Sequence, residues 1–148
     1  MRAVVQIVDN ATLSVDNNVV SSINKGFLVF VGVKTTDTDA DLEYIKSKLL
    51  KLRIFPDSDG KTNLSLFDIK GEILLVSNFT LYGDVKGSNR PSFINAARPD
   101  ISKPLYEKLA KQLNEQIPTK TGIFGADMII NLQANGPFTL LFDSEKTI

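Results

Sequence analysis

The sequence predicts an α+β fold: a single domain, residues 1–148, of mostly antiparallel, curled, barrel-like β-sheets with two main α-helices packed outside. Three observations carry this reading. Short apolar runs rich in β-branched and aromatic residues recur from Arg2 to Phe142. Only two stretches repeat apolar residues at helical spacing, and turn residues separate them from the strands. A chain of 148 residues can bury one core, and no repeat, linker or low-complexity segment divides it.

Taken in order, Arg2 to Val8 reads as a first strand. Thr12 to Val15 and Val19 to Ile23 flank Asp16-Asn17-Asn18, a tight-turn sequence, and predict a hairpin. Gly26 to Val33 is continuously apolar, as expected of a central strand buried on both faces. Thr38-Asp39-Ala40-Asp41 has the pattern of a capping box. Leu42, Ile45, Leu49 and Leu52 then predict an amphipathic helix from Asp39 to Leu52, with Lys46, Lys48 and Lys51 on its solvated face. Phe55 to Lys61 is a turn. Asp57, Asp59 and Asn63 lack the glutamate that closes a calcium loop, so an Asx-rich turn is the favoured reading. Leu64 to Phe67 is a short strand or irregular, and Glu72 to Ser77 is a strand. Gly83 to Asp100 is a long polar loop carrying Lys86, Arg90 and Arg98. Ser102 as N-cap and Pro104 in the first turn open a second helix, with Leu105, Leu109 and Leu113 as its buried stripe and Pro118 as its bound. Asp127 to Leu132 and Phe138 to Phe142 are the last strands, joined by a Gly136-Pro137 turn.

Composition excludes several chemistries. The chain has no Cys, so disulfides, thiolate nucleophiles and Cys-ligated metals are out. It has no His, which removes Ser-His-Asp arrangements and the commonest general base near neutral pH. The 17 basic and 17 acidic residues balance, so overall charge makes no case for bulk nucleic-acid binding. No apolar run approaches a membrane span, and the absence of a targeting segment leads to the expectation of a cytoplasmic protein. No carboxylate cluster suggests a metal or other cofactor.

Two stretches concentrate chemistry. Ser77-Asn78-Phe79-Thr80-Leu81-Tyr82 closes an apolar strand with a hydroxyl, an amide, an aromatic and a second hydroxyl. A strand end where pairing stops can present consecutive backbone N–H groups to an oxyanion. Thr80 is then a nucleophile, which needs a base the sequence does not show, or a positioning hydroxyl, which is favoured. In Asn135-Gly136-Pro137-Phe138-Thr139, Gly opens backbone angles closed to other residues and Pro fixes φ, so two carbonyls can be aimed in one direction. Read alone, Gly136-Pro137 is a hairpin turn.

Several separated stretches together resemble the D-aminoacyl-tRNA deacylase (D-tyrosyl-tRNA deacylase) family. They are Met1-Arg2-Ala3-Val4-Val5-Gln6, Gly26 to Val33, Arg53-Ile54-Phe55, Ser77 to Leu81, Arg90-Pro91-Ser92-Phe93, Thr121 to Met128 and Asn135 to Thr139. Each is weak alone; their order and spacing over nearly the whole chain are specific. The resemblance implies hydrolysis of the ester joining a D-amino acid to the terminal adenosine of tRNA, a proofreading activity. It implies a homodimer in which the Gly136-Pro137 turn, its bond cis, enters the partner's active site and filters chirality through its carbonyls. It places Ser77, Asn78, Phe79 and Thr80 in the catalytic pocket, and Phe124 and Met128 near the terminal adenine, where ordinary core packing is an equal alternative. Lys86, Arg90, Arg98 and Lys103 are candidate contacts to RNA phosphate, or a solvated surface.

The chain departs from the family pattern in four places. Asn78 stands where Gln is usual, and Ile7 where a basic residue is thought to help hold the Gly-Pro turn. Ala134-Asn135 replaces Asn-Asp, and Phe138 replaces a smaller β-branched residue. The changes at Ile7 and Asn78 keep open a second reading, a non-catalytic module binding the tRNA 3′ end; a third is an editing deacylase of altered specificity acting on glycyl or small L-aminoacyl esters, which a trans Gly136-Pro137 bond would favour.

Overall fold

The computed structural model describes residues 1–148. Its organising element is β1 (Arg2–Val15), 14 residues long. The expected break between Val8 and Thr12 is absent: Asp9 and Asn10 are polar but extended, and Ala11 is buried again. β2 (Asn18–Ile23) returns along the second half of β1 through Asp16 and Asn17, both at positive φ, which Asx residues tolerate. β3 (Gly26–Gly32) pairs antiparallel with the first half.

α1 (Asp39–Lys51) starts at the expected capping box, with Thr38 and Asp41 satisfying each other's backbone N–H groups. β4 (Arg53–Pro56) and β5 (Thr62–Ser65) form a small separate sheet, and α2 (Leu66–Ile69) is a single helical turn. Asp57 organises the intervening turn by accepting from the N–H groups of Asp59 and Lys61 and from Asn63 Nδ2. β6 (Glu72–Ser77) lies parallel to β3, and β7 (Thr119–Thr121) parallel to β6. α3 (Pro99–Asn114) begins at Pro99, earlier than the expected start after Ser102. Proline suits a first helical position, and the Ser102 hydroxyl donates back to Arg98 O at 2.9 Å instead of capping. Its buried stripe is Tyr106, Leu109 and Leu113; Leu105 is only half-buried. β8 (Ile129–Asp143) pairs antiparallel with β1 along its free edge.

The main sheet runs β2-β1-β3-β6-β7. It nearly closes into a mixed barrel, because Ser21 Oγ donates to Thr121 O and Lys120 Nζ to Ser22 O across the gap between β2 and β7. The larger core cluster puts Val5, Phe27, Val29, Ile73 and Leu75 of the sheet against Leu42, Ile45, Leu49, Leu109 and Leu113 of the two long helices. A smaller cluster, with Leu13, Leu28, Leu74 and Val76, occupies the opposite face. β3 is therefore buried on both faces, as its apolar run predicts. No helix is long and apolar enough to cross a membrane.

A charged cluster ties the two ends of the chain to the sheet. The Met1 ammonium donates to Asp37 Oδ1 at 2.7 Å and to the Ser144 hydroxyl at 2.5 Å. Asp143 is buried; its carboxylate accepts from the N–H groups of Glu145 and Thr147 and from the Thr147 hydroxyl, and lies 3.6 Å from Arg2 Nε. Burial pushes the Asp143 carboxyl up, but those hydrogen bonds and the Arg2 charge outweigh it and hold it below the ordinary 3.8. A depressed carboxyl contributes stability above its unfolded value that is lost as pH falls through the folded one. Asp41 behaves in the same way. Asp37 runs the other way: burial raises it, so its contribution is full at low pH and declines as pH rises. Hydrogen bonds also hold the Asp57 and Asp68 carboxyls down. With four carboxyls against one, the melting temperature is expected to be level from pH 7 to about pH 5 and to fall below about pH 4. Asp143→Asn should flatten that fall in a thermal-melt series; an unchanged acid limb would contradict it.

Candidate active site

The site grows from the end of β6. Pairing with β3 runs to Ser77 opposite Val31, and the Asn78 N–H still donates to Val31 O at 2.8 Å. The chain then leaves the sheet in a 3-10 turn, Phe79–Tyr82. Asn78 caps that turn: its Oδ1 accepts from the Thr80 N–H at 3.2 Å and from the Thr80 hydroxyl. The amide oxygen of Asn78 is thus occupied within its own turn, while its Nδ2 makes no hydrogen bond there. The expectation of consecutive free N–H groups is corrected: those of Asn78 and Thr80 are engaged, and only that of Phe79, first in the turn, has no partner within it.

From behind, Arg2 holds the turn. Its Nη1 donates to Leu81 O at 3.1 Å, and its guanidinium sits 4.7 Å over the Tyr82 ring. Burial, with the Asp37 and Asp143 carboxylates nearby, raises the Tyr82 pKa and keeps that hydroxyl neutral. From α3, Tyr106 donates to Leu75 O at 2.8 Å and so fixes β6 two residues before Ser77. Burial pushes its pKa up to about 12, so it remains a donor at any working pH. Sequence reading missed Tyr106, although its spacing with Leu109 and Leu113 fits a helix face better than that of Leu105 does.

These elements frame a cavity of about 580 Å³. Ser77, Asn78 and Phe79 form one wall, and Phe124 and Met128 another. Phe124 also packs on Tyr106, ring centroids 5.8 Å apart, and Met128 packs on the smaller core cluster, so both are half-buried with a face left for the cavity. Phe79 does not pack into the core: it is 55% exposed and meets Phe93 edge-on at 5.1 Å, forming an aromatic rim. Thr80, expected in the pocket, does not line the cavity; it is exposed one residue after Phe79, and its only hydroxyl partner is an amide oxygen, which is no general base. Asp127, expected to open a strand, lies before β8 and lines the wall, as does Arg98 just before α3. Arg90 does not: the paired backbones of Asp84 and Ser92 hold it in an exposed loop away from the wall. No group of three metal-ligating side chains converges anywhere.

Gly136 and Pro137 lie elsewhere. They do not reverse the chain, which corrects the hairpin-turn reading. β8 continues along β1 on both sides of them, with Ala134 opposite Val8 and Thr139 opposite Gln6. Asn135 to Phe138 stand opposite Ile7 alone and loop out of the ladder. The Gly136-Pro137 bond is cis, and Gly136 has φ +116°. Gly136 lines a second cavity of about 210 Å³ with Ile7, Phe55 and Phe138, separate from the Ser77 cavity.

The profile of the family described as D-Tyr-tRNA(Tyr) deacylase matches residues 4–143. The chain belongs to the D-Tyr-tRNA(Tyr) deacylase family. Within this deacylase family, a relative from Thermosipho melanesiensis, named D-aminoacyl-tRNA deacylase, is 50% identical over 148 residues, 99% of each chain. One of the same name from Clostridium perfringens is 48% identical over 147 residues, again 99% of each. Among solved structures, one titled c-Myc DNA Unwinding Element Binding Protein superposes with a TM-score of 0.91 at 36% identity, covering 97% of this chain and 98% of that one. A structure titled as a probable eukaryotic D-amino acid tRNA deacylase gives a TM-score of 0.82 at 20% identity over 95% and 97% of the two chains, which shows the shared deacylase fold.

Proposed function

We propose that this chain is a hydrolase that cleaves the ester of D-aminoacyl-tRNA, releasing the free D-amino acid and tRNA. The observation that carries the reading is the cavity at the end of β6, walled by Ser77, Asn78, Phe79, Phe124 and Met128, in a chain matched along its whole length by D-aminoacyl-tRNA deacylases. A cavity of this size takes a nucleoside and a side chain together. The terminal adenine lies against Phe124 and Met128, and the ester carbonyl points at the Phe79 N–H, the donor for the developing oxyanion. Water attacks, assisted by a ribose hydroxyl of the substrate, and the Thr80 hydroxyl orients rather than attacks.

Chirality is selected by the Gly136 and Pro137 carbonyls of a second copy. The loop is exposed, and it rides on a 15-residue edge strand that shows Ile129, Leu132 and Leu141 to solvent. Such an edge is a template for pairing with another chain. A homodimer that covers this strand and delivers each loop into the partner's cavity accounts for both features. Main-chain carbonyls that hold the substrate amino group reject an L centre by clash, whatever its side chain. The achiral glycyl ester passes the same filter.

The test is hydrolysis of D-tyrosyl-tRNA against L-tyrosyl-tRNA by the purified chain, with a chelator present. Selective loss of the D ester is expected. Loss of neither, with tRNA still bound, would turn the reading to a binding module for the RNA end. Thr80→Ala is expected to keep turnover within about tenfold of the parent, because it removes an orienting group only. A fall of about 10³-fold or more with tRNA binding intact would make Thr80 the nucleophile.

A further inference from the structure

We propose that Gln6 and Asp9 of β1, with their partners Thr139 and Asn135, are positioning residues that set the stereochemical selectivity of the Gly136-Pro137 loop. The inference rests on the reading of that loop as the chirality filter. Ile7, the residue it faces, is buried and has no side-chain donor or acceptor, and Lys25 and Thr62, which line the space beneath the loop, make no hydrogen bond to it. The smaller cavity lies there instead, lined by Ile7, Phe55, Gly136 and Phe138. With space under it, the loop's height and tilt depend on its two roots.

Both roots carry a side-chain hydrogen bond to β1. On one, Gln6 Nε2 donates to Thr139 Oγ1 at 3.3 Å. On the other, Asn135 Nδ2 donates to Asp9 Oδ1 at 2.8 Å. Asp9 sits where the register of β1 slips between Val8 and Asn10, and that irregularity frees its carboxylate to face the loop root. The next pair, Asn10 Nδ2 to Gln133 Oε1 at 3.0 Å, extends the same polar ladder away from the loop. Asp9 accepts through a carboxylate oxygen from an amide donor, the stronger kind of hydrogen bond. All three bonds are exposed. Bonds in that setting contribute modestly to folding, yet they lie at the two hinges of the one segment whose carbonyls must be aimed.

The experiment compares kcat/KM for D-tyrosyl-tRNA and L-tyrosyl-tRNA in the parent, Gln6→Ala, Asp9→Ala, the double variant, and the exchanged pair Asp9→Asn with Asn135→Asp. The melting temperature should stay within about 4 °C for Asp9→Ala, as expected for one exposed hydrogen bond. The D-to-L ratio should fall by at least about fivefold in each single variant and about tenfold or more in the double. The exchanged pair, which restores a donor opposite an acceptor, should recover most of the ratio; a purely structural role would not move the ratio at all. An unchanged ratio in the double variant of a D-selective parent overturns the inference and leaves the deacylase reading standing. A parent that hydrolyses both esters alike overturns the filter reading, and this inference with it.

Discussion

Gly136→Ala is expected to lower D-ester hydrolysis by about 10²-fold while barely changing thermal stability. Gly136 has φ +116°, a region closed to L side chains without strain. A Cβ built there meets Phe138 N at 2.8 Å and Phe138 Cβ at 3.2 Å. The nearer contact is backbone of the same loop, so relief requires the loop itself to turn, and the carbonyls turn with it. A displacement of about 1 Å at a positioning group is enough for a loss of that size. The loop is exposed, so the fold should tolerate the change. Single-turnover hydrolysis of D-tyrosyl-tRNA and a thermal melt measure the two effects separately. A rate within threefold of the parent would mean that this loop does not touch the substrate.

Gly26→Ala should act through the fold. A Cβ at Gly26 would lie 1.9 Å from the backbone oxygen of Glu72 and 2.8 Å from its carbonyl carbon. Gly26 pairs with Glu72 at the first rung of the β3–β6 ladder, where no flexible side chain can give way. The two central strands must separate, at a cost of about 3 kcal/mol or more. A fall in melting temperature of about 10 °C is expected. Activity should drop too, because β6 ends in Ser77 and is placed by that ladder. Gly87→Ala is the control: a Cβ there meets nothing within 4 Å, and its φ is not positive. Equal melting temperatures for the two variants would contradict the argument.

What could be read from the residues were the features written locally. Thr38 and Asp41 declare α1 by themselves, and the apolar run after Gly26 declares a strand covered on both faces. Ser77 to Tyr82 announces the end of a strand because its polarity changes within a few residues. Other features depend on partners far along the chain. Asp9-Asn10-Ala11 looks like a break until β8 is laid beside it. Gly-Pro has the same local chemistry in a reversal and in an outward loop, and only pairing of both flanks with β1 tells them apart. Arg98 and Asp127 reach the cavity wall through the placement of α3 and of the segment before β8, which no short pattern encodes. The start of α3 is a different case: Pro99 was a legible signal, and Ser102 competed with it.

The looped course of β8 also limits how that strand can change in length. Arg2 faces Asp143 at one end and Ser14 faces Ile129 at the other, and over that span β8 uses two more residues than β1. Side chains on a strand alternate between faces. An even surplus keeps the even-numbered residues covered in both halves: Ile130 before the loop packs on the smaller core cluster, Leu140 and Phe142 after it pack on the larger one, and Ile129 and Leu141 point out. A single-residue insertion or deletion in the loop would invert one half, turning Leu140 and Phe142 to solvent and Leu141 to the core. Natural or designed length variation at this loop should come in pairs, and a survey of loop lengths tolerated by selection would display that parity.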